Sequence, residues 1–202
     1  MKDAIKTING YAVHIPGPNL DTDRIVPARF LKTVSFSELA AALFFDDRML
    51  PSGNPDPAHP LHREPKPEIL VVDKNFGCGS SREHAAQAIK LWGIKAILGR
   101  SFGDIFRGNC QHLGVPCISI SAASHQEITE YLGKEAKALT IDLSDLRVSA
   151  AGAEQNWPCE LSADSQRVFL EGTYDPLQAL LMNQEAVLRF SRKHPAAPSR
   201  FI

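Results

Sequence analysis

A chain of 202 residues with 44% apolar and 22% charged side chains has the composition of a globular domain. At that length folding buries about 70% of the unfolded surface, enough for a core without disulfides or structural metal. The formal net charge of −1 provides no broad field for nucleic acid or an anionic membrane, the apolar runs fall well short of the roughly 20 residues that span a bilayer, and Met1-Lys2-Asp3 lacks the basic-then-apolar pattern of a secretory leader.

Taken in chain order, residues 5–15 read as two short strands around Asn9-Gly10, a hairpin dipeptide. Residues 17–31 are a Gly/Pro/Asn/Asp-rich loop. Ser35 and Glu38 have capping-box spacing ahead of Leu39–Phe45, which predicts a helix ending near Asp46. Six prolines between 51 and 67 predict a surface loop, as no helix or central strand tolerates that density. Strand–helix alternation follows: a strand at 69–72, a helix at 81–92, a strand at 94–98, a helix at 102–113, a strand at 117–120 and a helix at 125–136. This pattern predicts an α/β unit with a parallel sheet. The pattern then turns to β at 138–143, at 147–151 and around Trp157, with a turn at Ala151-Gly152. A helix is expected at 176–194, with Leu177, Leu180, Leu181, Val187, Leu188 and Phe190 as core positions. The whole reads as a single domain over 1–202, with the proline-rich loop at 51–67 and a C-terminal helical extension from about 175.

The four cysteines, Cys78, Cys110, Cys117 and Cys159, contain no C-x-x-C pair. Free thiols in a reducing cytoplasm are expected, and an iron–sulfur cluster, which needs three or four thiolates, is not expected on this chain.

Three segments carry chemistry. Asn75-Phe76-Gly77-Cys78-Gly79-Ser80-Ser81-Arg82-Glu83-His84-Ala85 links a buried strand to a helix. Its glycines permit a tight turn, Ser80 or Ser81 suits an N-cap, and the helix N-terminus with Arg82 makes an anion site suited to a carboxylate. A capped helix without a ligand is the plainer reading. The run lacks the lysine of a phosphate-binding loop, the third glycine of a dinucleotide fingerprint and the G-x-S-x-G of a serine hydrolase. Asn19-Leu20-Asp21-Thr22-Asp23-Arg24 is either a turn that holds its own backbone or a carboxylate pair with a ligand; Arg29 and Lys32 follow it and are positioned to face an anion or solvent. Ser101-Phe102-Gly103-Asp104-Ile105-Phe106-Arg107-Gly108-Asn109 reads as an N-cap at Ser101 with Phe102, Ile105 and Phe106 as packing positions.

Together these segments, Asn19–Leu31, Asn75–Ala85 and Ser101–Asn109, resemble the swivel domain of the aconitase superfamily. Leu43–Arg48 and Phe169–Asp175 share the likeness. It is nearest to the small subunits of bacterial 3-isopropylmalate dehydratases and covers roughly residues 5–190. The resemblance implies a swivelling β/β/α domain and a hydro-lyase active only with a large subunit that carries a [4Fe-4S] cluster, so that this chain ligates no metal. It implies isomerisation of 2- and 3-isopropylmalate through isopropylmaleate in leucine biosynthesis. Hydro-lyases acting on citraconate/methylmalate, dimethylmalate or homoaconitate, and a non-catalytic dicarboxylate-binding or assembly module, are the alternatives. Carried over residue by residue, the resemblance makes Ser80 the base, places Asp23 in a carboxylate–histidine network, and gives Ser81, Arg82 and Thr22 to the substrate; the loop holding Arg29 and Lys32 would lie near its variable side group. No nucleic acid or membrane partner is implied.

Overall fold

The computed structural model describes residues 3–32, 35–79, 82–151, 155–175 and 184–193. Seven strands close a mixed barrel: β1 (Thr7–Ile15), β2 (Ile69–Val72), β3 (Ala96–Gly99), β4 (Cys117–Ile120), β5 (Lys137–Asp142), β6 (Arg147–Ala150) and β7 (Asn156–Glu160), in the spatial order β1-β2-β3-β4-β7-β6-β5. β1 to β4 run parallel, and β5 to β7 join them antiparallel. The strand–helix alternation therefore builds the parallel half as predicted, and the later β segments close it.

β2 and β3 are buried at every residue, as expected where both faces of a parallel strand are covered. On β2, Leu70 and Val72 join a hydrophobic cluster with Ile25, Phe44, Ile89 and Phe106, whereas Ile69 and Val71 join a second with Ile141, Val148, Trp157 and Phe169. α4 (Glu83–Trp92) and α5 (Asp104–His112) follow β2 and β3; α6 (Ala122–Leu132) follows β4.

Several expectations are corrected. Asn9-Gly10 is not a turn but part of the continuous strand β1, paired with β5 along Thr7–Ala12 and with β2 along Ala12–Ile15. A Cβ on Gly10 would lie 2.9 Å from Cβ of Glu68, so glycine here leaves room for the Glu68 side chain. The 17–31 loop contains helix α1 (Thr22–Ile25) and a 3-10 turn at Ala28–Phe30. The helix expected to run to Asp46 is split into α2 (Phe36–Ala41) and α3 (Phe45–Arg48) by Phe44, whose φ of 47° is left-handed. Phe44 is fully buried and its N–H donates to the Ile25 carbonyl at 2.8 Å, so tertiary contacts hold the break. Ser35 makes no cap bond to the backbone.

Ser101 does not cap α5; Gly103 holds that position. Ile105 is 57% exposed, while Phe102 and Phe106 are buried as expected. A helix the patterning missed, α7 (Ala163–Glu171), is capped by Ser162 and buries Phe169. Of the C-terminal extension the structure describes α8 (Gln184–Lys193); Leu188 and Phe190 are 47% and 66% exposed, against their expected core role. Leu177, Leu180, Leu181 and Gly152 lie outside the described residues, as does the side chain of Val187. The 51–67 segment is loop with one 3-10 turn at Pro60–His62, anchored by buried Leu61.

Candidate active site

The parallel strands β1, β2 and β3 end at the same edge of the barrel, and the three turns that leave them are joined by main-chain hydrogen bonds. Asn19 N–H donates to the Lys74 carbonyl at 2.9 Å, Gly77 N–H to Leu20 at 2.7 Å and Thr22 N–H to Cys78 at 3.0 Å. On the other side Phe76 N–H donates to Ser101 at 3.1 Å and Gly103 N–H to Phe76 at 2.9 Å. The Ser101 hydroxyl, free of the helix it was expected to cap, accepts from Asn75 N–H at 2.8 Å. The three segments singled out by sequence thus form one surface at the carboxyl ends of parallel strands, where α/β proteins bind ligands.

Two glycines are needed for this. Gly77 has φ of 71°, and a Cβ there would meet the Phe106 ring at 2.2 Å. A Cβ on Gly103 would sit 2.5 Å from the Gly77 carbonyl oxygen. The turns approach backbone to backbone, which only glycine permits.

The result is a cleft of about 290 Å³ lined by Thr22, the 77–79 turn, Arg82 and Gly103 through Phe106. Arg82 stands at the start of α4, where the unpaired N–H groups of the first turn add partial positive charge. Its guanidinium pairs with Asp23; the two side chains are 21% and 49% exposed. Asp21 takes the plainer role foreseen for this loop: its carboxylate accepts from Arg24 N–H at 2.8 Å and caps α1. The two carboxylates therefore serve different partners. Thr22, between them, is buried to 2% and touches the cleft.

Ser80 and Ser81 lie outside the described residues; in sequence they separate Gly79 from Arg82, both of which line the cleft. The N-cap position of α4 is occupied by Arg82. Arg29 is not among the cleft-lining residues. Its guanidinium grips both oxygens of Asp46, holding that carboxyl below the usual carboxylate range, and lies over the rings of Phe30 and Phe45 at 4.8 and 5.4 Å. Lys32 is exposed just beyond the 3-10 turn, also outside the cleft lining. Sequence reasoning missed Ile105 as a wall of the cleft; its exposure inside an apolar helical stripe became visible only in the fold.

The described cysteines of this chain do not form a set that would hold an iron–sulfur cluster. Among the described residues no three metal-ligating groups that include a cysteine converge. Cys78 reaches the cleft, whereas Cys110, Cys117 and Cys159 are buried. Burial pushes the Cys159 thiol up to about 11, and burial together with the Cys117 thiol raises Cys110. These are packing thiols.

Comparison with known proteins agrees with this architecture. The aconitase C-terminal domain family matches residues 2–123. A 3-isopropylmalate dehydratase small subunit of Synechocystis is 40% identical over 95% of this chain and 94% of its own length. The corresponding proteins of Thermus thermophilus and Chloroflexus aurantiacus are 38% and 41% identical over 96% of this chain and 97% and 96% of theirs. The crystal structure of 3-isopropylmalate dehydratase from Methanocaldococcus jannaschii superposes with a TM-score of 0.66 at 27% identity, covering 89% of this chain and 99% of that one. With its barrel, its three joined turns and near full-length similarity to these proteins, the chain belongs to the aconitase C-terminal domain family and, within it, to the 3-isopropylmalate dehydratase small subunits.

Proposed function

We propose that this chain forms, with a large subunit that carries the [4Fe-4S] cluster, a hydro-lyase that interconverts 2-isopropylmalate and 3-isopropylmalate through isopropylmaleate. The observation that carries the reading is the cleft in which Thr22, Gly79 and Arg82 meet beside Asp23. The cluster would supply the Lewis acid for the departing hydroxyl, and it belongs to the partner.

Arg82 binds a substrate carboxylate through its planar fork, a geometry a point charge cannot reproduce. In the chain alone Asp23 occupies that fork; an arriving carboxylate takes its place and leaves Asp23 to the carboxylate–histidine network shared with the partner. Ser80 takes the proton next to a carboxylate. A hydroxyl is a poor base at neutral pH, and the helix N-terminus with Arg82 stabilises its anion. Ser81 and Thr22 add hydrogen bonds to the same carboxylate. Ile105 and Phe106 offer an apolar wall to a branched alkyl group, which favours isopropylmalate over a substrate with a further carboxylate. Arg29, committed to Asp46, and the exposed Lys32 have the smaller part, at the rim on the side-group side.

The test is reconstitution with the cognate large subunit, its cluster loaded anaerobically, followed by isopropylmaleate absorbance. Wild type is expected to turn over only in the mixture, and Ser80→Ala to lose nearly all kcat at full assembly. A mixture with Ser80→Ala as active as wild type removes the serine from its role. A mixture inactive on isopropylmalate but active on methylmalate or homoaconitate reassigns the substrate.

A further inference from the structure

Away from the cleft, three side chains from distant parts of the sequence converge. His14 lies near the end of β1, Asp73 opens the β2–α4 connection, and His125 sits in the first turn of α6. Their donor atoms all lie within 4.8 Å of one another. His14 Nε2 is 3.2 Å and His125 Nε2 3.1 Å from the same oxygen, Oδ1 of Asp73. We propose that His14, Asp73 and His125 bind a divalent transition-metal ion of the Zn2+ class.

Four observations carry the assignment. First, the spacing fits: ligands held at about 2.0–2.1 Å around a tetrahedral ion lie about 3.3 Å from each other along each edge, close to the two nitrogen–oxygen separations. Second, the other oxygen of the carboxylate is already engaged, since Oδ2 accepts from Gly17 N–H at 2.7 Å. This fixes the carboxylate and leaves Oδ1 facing the imidazoles. Third, His125 is 9% exposed, and its Nε2 is buried without a hydrogen-bond partner. Asp73 is near it but off the axis on which that nitrogen accepts or donates, which is where a second ligand of a shared ion stands. The Val72 backbone is a further hydrogen-bond partner of this ring; bound through Nδ1, the neutral ring would present its lone pair on Nε2, the outer-shell arrangement of metal-bound histidines. Fourth, His14 also lines an open cleft of about 440 Å³ with Ile15, Pro16, Arg24 and His59, which provides an entry path and room for water as the fourth ligand.

Imidazole nitrogens with one carboxylate suit Zn2+, and suit Ca2+ or Mg2+ poorly, since those ions prefer all-oxygen sites. A plain hydrogen-bonded triad would aim both rings at the carboxylate; only the His14 ring does so. The bound ion would tie the end of β1 and helix α6 to the connection that continues into Asn75–Gly79. Its assignment does not depend on the reaction proposed above.

The experiment uses the untagged full chain, stripped with chelator and titrated with Zn2+ by calorimetry and with Co2+ by visible absorption. One equivalent of saturable Zn2+, a rise in Tm, and cobalt bands of tetrahedral intensity are expected. Asp73→Asn and His14→Gln should each weaken binding at least about tenfold while far-UV circular dichroism stays native. The second variant leaves the Asp73–Gly17 hydrogen bond in place and keeps the test decisive if the first does not fold. Absence of saturable binding, equal affinity in a folded variant, or thiolate-to-cobalt charge-transfer bands that place the ion on cysteine would each overturn the site.

Discussion

Arg82 and Asp23 stand 59 positions apart in sequence and face each other across the cleft. A lysine at 82 keeps the charge but not the fork. Arg82→Lys is therefore expected to raise the KM for isopropylmalate about 10- to 100-fold in the reconstituted complex, the worth of one charge-assisted hydrogen bond, with a smaller change in kcat. Two glycines predict opposite outcomes. Gly77→Ala places a methyl into the Phe106 ring at a left-handed φ, and urea unfolding should show a loss of about 2–4 kcal/mol. Gly108, in the middle of α5, has nothing within 4 Å of an added Cβ; Gly108→Ala should stabilise by up to about 1 kcal/mol through helix propensity and unfolded-state entropy.

At the scale of elements, the break between α2 and α3 is held by Arg48, which is 6% exposed. Its Nε donates to the Leu43 carbonyl at 2.6 Å and its Nη2 to the Ala41 carbonyl, groups that the end of α2 leaves without helical partners. The guanidinium also lies 4.9 Å above the Trp92 ring, tying the break to α4. Arg48→Met, which keeps the apolar stem but no donors, should cost about 2–3 kcal/mol, read as a shift of the urea midpoint. The proline-rich loop carries a pH dependence. His59 caps the 3-10 turn at Pro60–His62 by accepting from Leu61 N–H through Nδ1 at 3.2 Å. Burial, reinforced by His62 and Arg48 and opposed by Asp47 and Asp56, lowers its pKa from 6.5 to about 4. The unfolded chain therefore takes up this proton first as the pH falls. The stabilisation is complete above 6.5 and is lost as pH drops from 6.5 towards 4. Tm measured across that window should fall with a shallower slope in His59→Asn, which retains an acceptor but does not titrate.

For the whole molecule, barrel closure is decisive. The family match covers residues 2–123, which contain β1 to β4, yet β1 and β4 find their second neighbours in β5 and β7. A fragment ending at residue 123 exposes two unpaired edges and one side of the second hydrophobic cluster. It should aggregate or lack cooperative unfolding in circular dichroism, whereas the full chain gives one transition. No helix among the described residues is long and apolar enough to cross a membrane.

Much of this was legible in sequence because it rests on local signals. The buried runs Ile69–Val72 and Cys117–Ile120, the helices after them and the glycine-rich turn announce themselves by period and punctuation, and they place Arg82 at a helix start without any tertiary knowledge. What misled was local chemistry overridden by distant packing. Asn9-Gly10 reads as a hairpin until Glu68 and β5 close on both sides of it; Ser35 keeps its N-cap position without a cap bond, whereas the Ser101 hydroxyl is taken by Asn75. Composition and motif alone determined an α/β domain with a glycine-rich turn at a helix start and no C-x-x-C pair among its four cysteines. Only the tertiary structure decided that Asp23 meets Arg82, that Ile105 faces a cleft rather than a core, and that His14, Asp73 and His125 share one point in space. Such encounters depend on how seven strands close into a barrel, and sequence separation carries no trace of them.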